Sequence, residues 1–195
     1  MTTKNLRDAN LAGANLAGAD LTNARLDGAN FAGARLVGAS LAGANLAGAR
    51  LVGASLAGAN LAGARLEGAR LDGANLEGAI LDNARIGELF GGTSLRGANL
   101  EGASLKSAGL HFADLAAANL RGANLAGANL RAADLSNANL SDTNLASANL
   151  AEAKLEGANI ECANLEGARL EGANVSPGTQ IPGWYRTALY GLERE

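Results

Sequence analysis

The chain has 195 residues, with 16 Lys and Arg against 19 Asp and Glu and a formal net charge of −3 at pH 7. This length suits one domain, and the weakly acidic balance without a basic wall argues against direct binding of nucleic acid. A single cysteine cannot form an internal disulfide, and the single histidine leaves no cluster with metal-ligand spacing. We therefore expect no catalytic residues, no metal and no cofactor.

The N-terminal region shows no basic start followed by an apolar run. That pattern would mark a signal peptide or a membrane anchor. The sequence therefore predicts a cytoplasmic protein without a membrane partner. Arginine far exceeds lysine, and alanine and glycine are abundant, which is typical of a GC-rich bacterial genome.

A five-residue repeat, Ala-Asn-Leu-x-Gly or a close variant, runs from the N-terminus to about Val175. Large apolar centres recur every fifth residue from Leu6 to Ile86 and again from Leu95 to Val175, 34 in all. Alanine stands two residues before 31 of these centres, and glycine two residues after 20 of them. On an α-helix, residues five apart differ by about 140° and form no apolar stripe. In an extended segment the alanine and the centre share one face, and the last two residues can turn the chain.

This pattern resembles the pentapeptide-repeat family, whose motif is A(D/N)LxG, over about nine-tenths of the chain. The resemblance implies an all-β fold, a right-handed quadrilateral parallel β-helix with four pentapeptides in each coil. At a strand spacing of about 4.8 Å, the repeats of residues 1–175 would form about eight to nine coils and a rod of roughly 40 Å. Such solenoids gain stability from the stacking of neighbours.

The repeat breaks at residues 87–94. Extending the second run backwards puts a centre at Phe90, four residues after Ile86, so that one side of the coil would be a residue short. The segment then either bulges or leaves the wall as a small loop. Phe112, at a position usually held by glycine and beside His111, should share a wall with Phe90. These aromatic side chains either cover the defect together or form a hydrophobic contact point for a partner.

Two acidic belts each occupy one outward position on four successive sides. The belts are Glu67, Asp72, Glu77 and Asp82, then Glu156, Glu161, Glu166 and Glu171. Similarity to the quinolone-resistance members of the family would imply mimicry of duplex DNA and DNA gyrase as the partner. Duplex DNA carries one charge per about 1.7 Å, so a rod of roughly 40 Å would need about 24 negative charges. The net charge of −3 excludes mimicry of DNA along the whole rod and leaves mimicry by one belt. The other interpretation is that the belts only keep the protein soluble.

The C-terminal segment, residues 176–195, lies beyond the repeat and contains the only tryptophan and both tyrosines. Its apolar side chains fall at roughly helical spacing, which predicts a short amphipathic helix. The candidate contacts are Ile181, Trp184, Tyr185, Leu189 and Leu192. Because an uncovered last coil would expose unpaired edges, this helix serves either as a cap or as a homodimer contact.

Two functions follow from the sequence. The leading hypothesis is a non-enzymatic structural or protein-interaction module, with an unknown protein partner bound near the break or the C-terminal end. The alternative is a modulator of DNA gyrase or a related topoisomerase through acidic mimicry.

Overall fold

The computed structural model describes residues 4–87, 92–176 and Thr179. Within these ranges there is no helix, and every strand is a single bridge residue separated from the next by a two-residue turn. The bridges are parallel and join residues 20 apart along most of the chain, as between Asn5 and Arg25. Four pentapeptides therefore make one coil, and the chain forms a four-sided parallel β-helix. The described residues include no helix long and apolar enough to cross a membrane.

The bridge residues stack into four ladders, one on each face of the rod. The ladders are face A (Asn5 to Arg169), face B (Asn10 to Asn174), face C (Asn15 to Asn159) and face D (Asp20 to Asn164). The turns lie on the edges between faces, and each edge is named here by the two faces it joins. Each face therefore displays one outward side chain per coil, and each edge displays two.

Four of the five backbone N–H groups in a pentapeptide bond to other backbone groups. Leu6 donates to the carbonyl of Arg25 in the next coil (2.8 Å), and Arg25 donates back to Lys4 (2.9 Å). Within the turn, Ala9 donates to Leu6 (3.2 Å), and Asp8 donates to Asp27 of the next coil (3.0 Å). This pattern recurs along the rod, so each coil is bonded to the next on every face.

The fifth N–H, on the first turn residue, explains the asparagine of the motif. In one example the side-chain oxygen of Asn119 accepts from the backbone N–H of Arg121 at 3.2 Å. Short polar side chains commonly bond a backbone N–H two residues further on. Asparagine and aspartate before the centre thus satisfy the one donor that the coil-to-coil bonding leaves over.

The second turn residue explains the glycine of the motif. In every ordinary two-residue turn of the described ranges, the residue at this position has a positive φ, 20 of them glycine and 12 not. A type II turn needs φ above zero at its third residue, which glycine adopts without a Cβ penalty. The non-glycine residues are mostly Asn, Asp, Ser or Ala, and Phe112 (φ 59°) is the largest of them.

The interior is filled by the leucine centres and the alanines two residues before them. From Leu26 to Ile86 these side chains have no exposed surface, and Phe31 is also fully buried. At the N-terminal end, Leu6 and Leu11 are only partly buried because no described coil lies below them. The bore therefore has no room for functional groups, which must lie on the faces and edges.

The register across the break corrects the sequence prediction. Arg70 pairs with Ser94, and Arg85 pairs with Gly109, each 24 residues apart instead of 20. Ser94 is thus the next bridge residue after Arg85 in the described ranges, which overturns a short side centred on Phe90 and favours the second alternative, a segment that leaves the wall as a small loop. The coil instead has four extra residues (24 − 20), all at one AB turn, which spans residues 87–92. Phe90 itself lies outside the described residues.

Three described residues hold the two ends of this enlarged turn. The Thr93 hydroxyl lies 2.7 Å from the carbonyl oxygen of Leu66 and also reaches that of Ile86. The threonine thus closes the base of the turn where the repeat normally has alanine. Gly87 and Gly92 lie against the next turn, and a Cβ on them would overlap the backbone oxygens of His111 and Phe112 respectively. Only glycine allows this approach of two backbones.

The C-terminal segment is described only in part. Thr179 is buried, and its hydroxyl donates to the carbonyl of Leu155 at 2.7 Å. Its backbone N–H donates to Ser176 at 2.9 Å, which makes one more turn after Val175. The predicted helix and its five apolar contacts, at residues 181–192, lie outside the described residues.

Replacing Gly87 by alanine should destabilise the protein by about 3 kcal/mol, because the added methyl group meets backbone atoms that cannot move independently. The matched control is Gly63→Ala, where a Cβ meets nothing within 4 Å. Its only cost is the positive φ, about 1 kcal/mol. Chemical denaturation of both variants measures the difference in unfolding free energy. Equal losses of unfolding free energy would contradict the close approach of the Gly87 backbone to that of His111.

Face C also supports a prediction about the asparagine ladder. Asn119 donates to Asn99 (3.1 Å) and to Glu101 (3.2 Å), and it accepts from Asn139 (3.3 Å). Asn119→Ala should therefore cost about 1–2 kcal/mol of unfolding free energy. Ser55→Ala on the same face should stay within about 0.5 kcal/mol of the parent protein. If both variants unfold at the same denaturant concentration, the hydrogen bonds of the asparagine ladder contribute nothing to the free energy of unfolding.

Candidate interaction site

The AB edge around the enlarged turn gathers the chemically distinctive residues of the rod. The first turn residues of consecutive coils there are Glu67, Gly87, His111 and Arg131, in ladder order. The bridge residues beside them on face A are Arg65, Arg85, Gly109 and Asn129. Sequence reasoning singled out Glu67, His111 and Phe112 separately, and the coil-to-coil register brings them to one edge.

Phe112 is an exposed aromatic side chain in a strained backbone conformation. Its side chain is 40% exposed, and its φ of 59° is one that bulky residues rarely adopt. The ring lies edge-on to that of His111, with centroids 6.0 Å apart and an interplanar angle of 72°. Gly87 and Gly92 lie against the backbone of this turn along the AB edge, whereas the prediction that Phe90 shares a wall with Phe112 falls outside the described residues.

His111 is half-buried, and its ring nitrogen Nδ1 is buried without a hydrogen-bond partner among the described residues. A Cβ on Gly109 would stand 4.0 Å from this nitrogen. Gly109 is the one bridge residue in the described ranges that carries no side chain. It therefore leaves an opening in face A beside a buried polar atom, a feature that sequence reasoning missed because glycine is so frequent here.

Glu67 lies below the enlarged turn and is buried between two arginines. Its Oε1 is 3.0 Å from Nε of Arg85 and 3.5 Å from Nε of Arg65. The glutamate side chain is only 2% exposed, whereas those of Arg65 and Arg85 are 50% and 66% exposed. A buried carboxylate needs such partners, since desolvation otherwise penalises its charge. Neither carboxylate oxygen of Glu67 has a hydrogen-bond partner in the described ranges, so the two arginines contact it as ion pairs, and little of its charge faces solvent.

The other three residues of the first acidic belt are Asp72, Glu77 and Asp82, and two of them contact neighbouring side chains. Asp72 lies 3.3 Å from Nε of Arg70, and Asp82 accepts from the hydroxyl of Ser104 at 2.6 Å. Glu77 is exposed. The four acidic residues occupy four different edges of the rod. They do not form one continuous acidic strip.

The second belt is more exposed but equally dispersed. Glu161 and Glu166 are exposed, Glu156 accepts from the side-chain amide of Asn174, and Glu171 lies 3.5 Å from Arg169. Its members again lie on four different edges.

Other charges bond along the ladders. Partial burial acts to raise the pKa of Asp134, but hydrogen bonds from Ser136 and Lys154 outweigh it and hold this pKa below its ordinary value. Hydrogen bonds from Thr22 likewise lower the pKa of Asp20. Within the described ranges, no group of three or more His, Cys, Asp or Glu could hold a metal ion. Cys162 is an exposed free thiol.

Comparison with known families gives the chain its class. The family model of pentapeptide repeats (8 copies) matches residues 5–43, 39–78, 59–86, 89–122, 113–148 and 138–176. The chain belongs to the pentapeptide-repeat family, as the repeat predicts. No curated protein matches the chain.

Solved structures support the same class. One similar structure is HetL from the cyanobacterium Nostoc sp. strain PCC 7120, a pentapeptide repeat protein involved in heterocyst differentiation regulation. HetL is 34% identical to this chain, the match covers 92% of this chain and 88% of HetL, and the TM-score is 0.32. A trypsin-treated variant of QnrB1, a plasmid-mediated fluoroquinolone resistance protein, is 16% identical, with 86% of this chain and 91% of QnrB1 covered and a TM-score of 0.55. The likeness to QnrB1 concerns the fold alone.

Proposed function

We propose that this protein is a non-enzymatic protein-interaction module whose contact region is the AB edge around Phe112. The single observation that carries the proposal is an exposed phenylalanine at a turn position where the fold favours glycine. A bore filled with leucine and alanine supports a role through outer surfaces rather than catalysis. The 34% identity to HetL, a protein involved in regulation, also supports a binding role.

The energetics of Phe112 favour a contact over a purely structural role. A left-handed conformation costs a residue with a Cβ about 1–2 kcal/mol. Glycine, which adopts the conformation freely, occupies this position in 20 described turns. The partly buried ring recovers some of the cost, but two-fifths of its surface stays in water. The turn itself requires this conformation, so what calls for an explanation is an exposed phenylalanine where glycine carries no strain.

Phe112→Gly should leave the free energy of unfolding within about 1 kcal/mol of the parent value, because released backbone strain offsets lost ring burial. The same variant should no longer bind the partner protein. A photo-reactive amino acid at Ala132, the corresponding turn position one coil further along this edge, would cross-link the partner in source cells. Mass spectrometry identifies the product, and the yield should fall at least tenfold in the Phe112→Gly background.

A photo-reactive residue at Ala57, on the CD edge, serves as the matched control and should give no specific product. A loss of more than about 2 kcal/mol in Phe112→Gly would instead show that the ring holds the turn together. Equal cross-linking at the two edges would remove the proposed contact region.

The gyrase alternative has weaker support. QnrB1 shares the fold at 16% identity, and the acidic side chains of this chain lie on four edges instead of one strip. We expect no inhibition of gyrase supercoiling at micromolar protein, with or without a fluoroquinolone. Inhibition that is lost on neutralising Glu156, Glu161, Glu166 and Glu171 would reverse this order of the two functions.

A further inference from the structure

Face A is the basic side of an acidic protein. Its ladder contains four arginines and no aspartate or glutamate: Asn5, Arg25, Asn45, Arg65, Arg85, Gly109, Asn129, Asn149 and Arg169. Faces B and D each contain aspartate, and face C has a single arginine. A partner that approaches face A near the enlarged turn therefore meets positive charge.

Arg65 and Arg85 form the organised part of this face. They are bridge partners in consecutive coils, so their backbones lie about 4.8 Å apart. Among the described residues, Glu67 contacts both guanidinium groups through Nε, at 3.5 and 3.0 Å. That carboxylate is buried beneath them and makes no hydrogen bond to either guanidinium group, and half or more of each arginine side chain is exposed. The three groups together keep one net positive charge.

This arrangement suits a carboxylate ligand. The guanidinium group is planar, always charged and matched to carboxylate geometry. Two such groups on adjacent rungs share a single buried carboxylate, so their exposed N–H groups remain available to a second carboxylate from a partner.

The opening at Gly109 lies one rung beyond Arg85 on the same face. No side chain fills it, and the buried His111 Nδ1 beside it has no partner among the described residues. Because that nitrogen is itself buried, the room for a ligand comes from the missing side chain at Gly109 alone. Phe112 follows His111 on the adjoining edge and adds apolar surface.

We infer that Arg65, Arg85, the Gly109 opening and Phe112 form a docking surface for an acidic protein segment, in which a carboxylate meets the arginine pair and an adjacent apolar side chain packs on Phe112. The inference rests on the proposed interaction function and adds the chemistry of the partner. Charge complementarity favours a peptide over nucleic acid, because one net positive charge neutralises few phosphates.

The test uses two fluorescein-labelled nine-residue peptide pools and the full chain, measured by fluorescence anisotropy. The acidic pool has Asp or Glu on both sides of a central Leu or Phe, with random flanks, and the amide pool has Asn or Gln in place of the acids. We expect the acidic pool to bind at least tenfold more tightly at low salt, and its affinity to fall as salt rises.

Three variants test the site. Gly109→Asn should fold normally, since its Cβ meets nothing closer than 3.9 Å, but should weaken binding of the acidic pool about tenfold by filling the opening. Arg85→Gln should do the same, and combining it with Glu67→Gln avoids leaving a buried charge unpaired. Arg169→Gln is the matched control, because Arg169 also lies on face A and lies 3.5 Å from Glu171, but its neighbour on the described part of the ladder is Asn149 and not a second arginine or a glycine.

The inference is overturned if the two pools bind equally, if neither binds, if Arg169→Gln weakens binding as much as Arg85→Gln, or if a single-stranded DNA 20-mer binds more tightly than the acidic pool. Cross-linking through Ala132 in cells separates this failure from that of the proposed function. If Ala132 still cross-links a partner but the protein does not prefer the acidic pool, the proposed interaction function stands and the partner has another chemistry.

Discussion

Hydrogen bonding between consecutive coils is the constraint on which the rest of this structure depends. Each pentapeptide donates and accepts along the rod axis at its bridge residue and again at its turn, and the spacing of 20 residues keeps every ladder in line. Backbone groups in the walls cannot be left unpaired without cost, so the two-residue turn must bend the chain tightly. The positive φ at the second turn residue, the glycine there and the asparagine before the centre all follow from that requirement.

The enlarged turn shows how this constraint accommodates an insertion. Four additional residues enter at one edge, and the bridges resume in step on all four faces. An insertion on a face would have interrupted a ladder, whereas this one leaves the bridges on all four faces in place. The Thr93 hydroxyl bonds the carbonyls of Leu66 and Ile86, and Gly87 and Gly92 lie close against the backbone of the next turn. The rod thus keeps its interior unchanged while gaining one irregular position on its surface.

That irregular position is one place where the surface departs from small and polar side chains, although Val37 and Ile80 are also exposed apolar side chains elsewhere on the rod. A glutamate is buried beneath paired arginines, a glycine removes a rung side chain, and an aromatic ring occupies a glycine turn. Each departure is minor alone, and solenoids tolerate such changes because every repeat contacts only its neighbours. Their occurrence within three consecutive coils of one edge is the basis on which we propose a contact region there. Electrostatic complementarity at such a surface contributes specificity and association rate more than bulk affinity.

The sequence by itself determined the period, the inward leucines and alanines, the turn positions and the family, because each of these depends on residues within one pentapeptide. It also predicted that Phe90 and Phe112 share a wall, but Phe90 lies outside the described residues. For the break it left a bulged short side and a small loop as alternatives, since local spacing cannot tell whether residues 87–94 form a side of their own or extend a turn. Only pairing with coils 20 or 24 residues away decides that, and this pairing set Glu67 between Arg65 and Arg85 and placed Gly109 next to them. The candidate site is therefore a product of tertiary register, because its three pieces, around residues 65–67, 85–87 and 109–112, come together only along the rod axis.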